Sequence, residues 1–199
     1  MERRKFLSLG LAPLVFAGNA LAAQGSDKPM SRAAQIGLFP NVPLITHTGE
    51  KVRLYDDLIR DKIILLNFML VECTEGICPT ATANLRKVQD LLGERMGRDI
   101  FFYSVTLQPK KDTPSILKEY AENFDVKPGW KFLTGKPADI DRLRRAQGMV
   151  DWDPIRDKDV SNHTAMGRYG DDRLDRWGSV ALRSTPENIA STFEWLSRV

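Results

Sequence analysis

The segment Lys62-Ile63-Ile64-Leu65-Leu66-Asn67-Phe68 is a nearly unbroken apolar run of strand length. A strand that keeps one face in water alternates apolar and polar residues; one that does not alternate is buried on both faces. Such a strand needs a layer of structure on each side of its sheet, which excludes most small all-β designs. The chain around it agrees. Pro79 opens a helical pattern with Leu85, Val88, Leu91 and Leu92 at three- and four-residue spacing, closing at Gly93. Asp99-Ile100-Phe101-Phe102-Tyr103-Ser104-Val105 is a second strand of the buried type. Asp112-Thr113-Pro114 caps a further helix, with a stripe through Ile116, Leu117, Tyr120 and Phe124.

The remaining segments complete the pattern. Val42–Thr46 and Lys51–Leu54 flank His47-Thr48-Gly49-Glu50 and read as a hairpin turning at Gly49, with His47 a solvated turn residue. A short helix follows over Tyr55–Ile59. Trp130–Leu133 is a strand and Pro137–Gln147 a helix. Thr164–Tyr169 and Arg173–Trp177 form a second strand pair around Gly170-Asp171-Asp172, and Pro186–Leu196 is the last helix. The expected fold is α/β: a thioredoxin-like three-layer sandwich, with a mixed central sheet, helices on both faces and an N-terminal hairpin.

Met1–Lys5 is basic, an apolar run follows, and Ala20-Leu21-Ala22 ends it, which is the order of a secretory signal. The Arg3-Arg4 pair resembles a twin-arginine export signal. The expectation is a signal over residues 1–22, a polar tether over 23–38 and one domain over 39–199, located in the periplasm; an uncleaved signal would instead leave a membrane tether. Without residues 1–22 the formal charge falls from +3 to +1. A nearly balanced chain of about 175 residues suits one domain and carries no argument for nucleic acid.

The only cysteines are Cys73 and Cys78. A bond between them would close too short a loop to remove much entropy from the unfolded chain, so chemistry is a better account of the pair than stapling. Cys78 precedes Pro79 at a helix start, where the helix dipole favours the thiolate.

The stretch Asn67-Phe68-Met69-Leu70-Val71-Glu72-Cys73-Thr74-Glu75-Gly76-Ile77-Cys78-Pro79 resembles the Sco/SenC family, whose motif is a strand followed by Cys-x-x-x-Cys-Pro opening a helix. The likeness continues through Ser104-Val105, Lys111-Asp112-Thr113-Pro114 and Trp130–Gly135. It ends with Val160-Ser161-Asn162-His163-Thr164, which resembles the segment bearing the family's metal-binding histidine. The resemblance implies a copper site of Cys73, Cys78 and His163, with the cysteines also a redox pair. It further implies delivery of copper to a client cuproprotein, such as the copper subunit of a respiratory oxidase.

Two thiolates and an imidazole form a soft set suited to Cu(I) and able to hold Cu(II), whereas zinc would want a fourth ligand. Met69 and Met166 are read as core, and the run Asp151, Asp153, Asp157, Asp159 as a solvated loop. The alternative is a thiol–disulfide oxidoreductase that reduces client cysteines without stored metal. Two departures from the family stand out. Four residues, not three, separate the cysteines; on a helix five positions diverge by about 140°, so the extra residue must bulge before the helix, where Gly76 permits it. Thr106-Leu107-Gln108-Pro109 stands where the family has Asp-Pro.

Overall fold

The structure, a computed structural model, describes residues 29–73 and 76–197. The export signal and the first part of the tether lie outside the described residues. Strands β1 (Pro43–Thr46), β2 (Lys51–Arg53), β3 (Ile63–Met69), β4 (Ile100–Thr106), β5 (Trp130–Gly135), β6 (Met166–Asp171) and β7 (Arg176–Ala181) form one sheet. Their order is β2-β1-β5-β4-β3-β6-β7. The central β3–β4 and β4–β5 pairs are parallel and the flanking pairs antiparallel, so the sheet is mixed as expected. The helices are α1 (Arg32–Gln35), α2 (Ile77–Leu92), α3 (Pro114–Asn123), α4 (Pro137–Ala146) and α5 (Pro186–Ser197).

All seven residues of β3 are buried, as its apolar run requires. Its one polar residue, Asn67, is accommodated by a series of buried hydrogen bonds. Trp130 Nε1 donates to Ser104 Oγ at 2.9 Å, and Ser104 Oγ donates to Asn67 Oδ1 at 2.8 Å. A buried amide with partners costs little, whereas one without them costs the full desolvation penalty.

Two layers cover the sheet. On one face, α5 sends Phe193 against Phe102 and Tyr169. There α2 and α3 are joined by the Thr82–Tyr120 hydroxyl pair, at 3.0 Å. Because side chains alternate along a strand, Arg168 points to the opposite face, where it bonds to Gln147 at the end of α4.

Several local readings shift. Leu91 and Ile116, placed in apolar stripes, are exposed. In α2 the buried position goes to Gln89, whose amide pairs with both backbone groups of Lys127. The first helix after the hairpin is a wide π-helical turn over Leu54–Ile59. The tether gives way to packed structure at Ser31. Ser31 caps α1, the Ala33 N–H donates to Asp175 Oδ1 at 3.0 Å, and Ala33, Ala34 and Phe39 are buried. His47 is no free turn residue. Its backbone N–H donates to the Phe132 carbonyl and its Nδ1 accepts from the Phe132 N–H at 3.1 Å, prolonging the β1–β5 pairing, and burial lowers its pKa.

The second hairpin turns later than its glycine suggests. Gly170 lies inside β6, since a Cβ there would fall 2.3 Å from the Trp177 ring, and the positive φ of the turn is taken by Asp175. Among the described residues no helix is long and apolar enough to cross a membrane.

Candidate metal and redox site

Cys78 is the second residue of α2, 3% exposed, and faces the end of β3. Its Sγ accepts from the Leu70 N–H at 3.4 Å and lies 3.0 Å from His163 Nε2. Two residues 85 positions apart are thereby brought into contact. The imidazole is oriented by its other nitrogen, which lies 3.0 Å from the Val160 carbonyl. A carbonyl only accepts, so the proton sits on Nδ1 and the Nε2 lone pair faces the sulfur. Anchoring the far nitrogen of a histidine in this way fixes the near one for a metal.

Cys73 lies outside the helix and is half-buried. Its Sγ accepts from the Cys78 N–H at 3.4 Å. Gly76, immediately before α2, holds φ at +69° with open space where a Cβ would stand. The left-handed backbone lets the chain reverse into α2 with Cys73 left beside the helix start, as the wider spacing predicts. The expected thiolate at Cys78 is corrected. Burial pushes its thiol up to about 12, against the lowering effect of the Leu70 N–H; hydrogen bonding to the Cys73 thiol adds to the rise. It is the Cys73 sulfur that receives an N–H from the first turn of α2.

Among the described residues no three His, Cys, Asp or Glu side chains converge as a ready-made metal cluster. The donor set nevertheless fits a soft metal: Cys78 Sγ and His163 Nε2 already face each other, and Cys73 is held one hydrogen bond away. Cys73 would supply the third ligand of such a set.

The cysteine loop has a support that the sequence analysis missed. Asp112, 2% exposed, accepts from the Val71 N–H at 3.4 Å and from the Thr106 hydroxyl. It thus ties the loop after β3 to the loop after β4, and its charge contributes to the raised pKa of Cys78. In sequence Asp112 looked like a helix cap; the cap is Thr113.

The acidic run before His163 is also more than a solvated loop. Asp151, Asp153 and Asp159 each accept from the N–H two residues on, at 2.8–3.0 Å. These turns are local competitors of regular structure and explain the alternating spacing. Asp157 is 9% exposed and takes two hydrogen bonds from Arg144, at 2.5 and 2.8 Å. Met69 is core, 1% exposed. Met166 instead lines a cavity of about 350 Å³ beside His163.

A thiol pair at a strand–helix junction, completed by an imidazole from a distant loop, defines a thioredoxin-like domain adapted to soft-metal chemistry. The SCO1/SenC family model matches residues 38–193, and the chain belongs to that family. It is 34% identical over 97 residues to the SCO2-like protein RP587 of Rickettsia prowazekii, covering 49% of this chain and 44% of that one. It spans about half the length of the curated relatives it matches. Bradyrhizobium japonicum ScoI, solved with copper bound, is 26% identical, with a TM-score of 0.62 over 77% of this chain and 96% of that one. Yeast Sco1 with copper bound is 18% identical, with a TM-score of 0.62 over 79% and 90%, and shares the fold.

Proposed function

We propose that this protein carries copper on Cys73, Cys78 and His163 and passes it to a client cuproprotein, such as the copper subunit of a respiratory oxidase. The carrying observation is the 3.0 Å contact between Cys78 Sγ and His163 Nε2, with Nδ1 tied to Val160. Family membership and a copper-bound relative support the choice of metal. The work takes place in the periplasm, reached by cleavage of residues 1–22 after export through the Arg3-Arg4 signal. Copper here is cargo. A buried Cys78 thiol must release its proton as the metal arrives, so apparent affinity rises with pH.

The test is the copper stoichiometry of the reduced protein, with zinc as control. About one copper per chain is expected, bound far more tightly than zinc. His163→Ala with undiminished affinity would reject the site.

A second reading has its own observation. The Cys73 sulfur accepts from the Cys78 N–H at 3.4 Å, which sets the two cysteines side by side at the start of α2 and favours an internal disulfide. Oxidation would join the two sulfurs with loss of two protons and two electrons to a client disulfide, which is reduced to two thiols. Reduction of client cysteines by a copper-free protein, abolished in Cys73→Ser, would favour that reading.

A further inference from the structure

The cavity beside His163 lies on the α4 face of the sheet, between β6, the end of α4 and the loop that leads to His163. Its most unusual wall is Arg168, half-buried on β6. Arg168 Nε donates to Gln147 Oε1 at 3.4 Å and Nη2 to the Gln147 carbonyl at 3.2 Å, both neutral acceptors. Among the described residues no carboxylate pairs with it. The other charges of the wall are matched. Arg144 holds Asp157, Arg156 lies 3.4 Å from Asp151, and Asp159 is exposed and occupied by Ser161. Among the described residues, Nη1 and one N–H of Nη2 therefore meet no protein acceptor. Burial lowers the pKa of Arg168, yet a guanidinium stays charged at neutral pH. A half-desolvated cation without an anion is costly, and a planar fork of N–H donors matches the two oxygens of a carboxylate.

The volume, about 350 Å³, is within the range of small-molecule sites. Apolar walls from Met149 and Val160 stand beside the polar groups of Gln147 and Ser179. A lining of mixed polarity, in which Arg168 alone lacks a counter-ion among the described residues, suits a ligand with a short carbon skeleton and an acidic end. We propose that this cavity binds a small organic carboxylate, its oxygens on the Arg168 guanidinium and its skeleton against Met149 and Val160. The proposal holds whether or not the neighbouring thiols carry copper.

Calorimetric titration of the metal-free full chain with succinate tests it, with neutral succinamide as the matched control. Saturable binding of succinate alone is expected. Arg168→Met, which keeps the apolar stem, should weaken it tenfold or more, as should Ser179→Phe at the exposed mouth. Absence of saturable binding, equal binding of succinamide, or unchanged affinity in a folded Arg168→Met protein would overturn the proposal. Should that variant fail to fold, amide shifts of the wild-type protein decide: succinate must perturb Gln147, Thr164 and Ser179, and perturbation confined elsewhere refutes the site.

Discussion

Cys78 and His163 meet at 3.0 Å, yet they reach that point from opposite kinds of structure. Cys78 belongs to the core: it is 3% exposed, on a helix whose Leu85 and Val88 are fully buried against the sheet. His163 hangs from a loop whose Trp152 and Ile155 are 88% and 79% exposed. That loop is held by aspartate turns and the Arg144–Asp157 pair, with little apolar burial of its own. The cysteine half is fixed by packing that cannot shift in small steps. The histidine half is fixed by a few polar bonds and can open at low cost. If the protein carries copper as proposed, the difference is useful: one ligand would stay and the other let go.

Three experiments break or sharpen this contrast. The largest effect is expected from Asp157→Asn. Without the carboxylate the Arg144 guanidinium loses its bidentate partner, and the loop that orients His163 loosens. Copper affinity should fall roughly 10–100-fold, as for other supports of metal-bound histidines. Hydrogen exchange should quicken over residues 149–164 and stay slow in β3. The effect has a pH signature. Arg144 holds the Asp157 carboxyl well below the usual carboxylate range. The pair's contribution is therefore complete above about pH 4 and is lost as the pH falls through the lowered value. The gap in stability between wild type and variant should accordingly close in acid. A gap that widened in acid, or equal loss of protection in β3, would remove the contrast.

Asp112→Asn probes the other half and should do less. It removes a charge that helps raise the Cys78 pKa, so ultraviolet titration should show that thiol ionising at a lower pH in the variant than in the wild type. Exchange over the histidine loop should stay unchanged. A thiol that titrates higher in the variant would show that Asp112 acts by some route other than its charge. In the wild type, preference for the protonated Cys78 thiol supports the fold fully below about pH 8.5 and is lost as pH rises toward 12.

The smallest effect is expected from Gly76→Ala. No atom obstructs a Cβ there, so only the +69° φ opposes it, at a cost of about 1 kcal/mol in denaturant unfolding. A larger loss would mean that the cysteine loop is more tightly specified than its backbone implies.

Much of this molecule is legible in one dimension, and the exceptions have physical causes. Continuous burial announced β3 and β4, and three- and four-residue periodicity announced α2 and α3, because both signals depend on near neighbours in the chain. Gly170 misled because a glycine in a strand looks like a turn until Trp177 is seen lying across it. His47 looked solvated because its partner, Phe132, is 85 residues away.

The sequence by itself determined the layered α/β fold, the cysteine pair at a strand–helix junction and the need for a bulge at Gly76. These follow from local periodicity, covalent spacing and the backbone freedom of one residue. Only the tertiary structure decided how the site is held. It set the buried, protonated state of Cys78, the tautomer of His163, the role of Asp112 and the unmatched charge of Arg168. Each depends on desolvation or on a hydrogen-bond partner from a distant segment, quantities that do not exist until the chain has closed on itself.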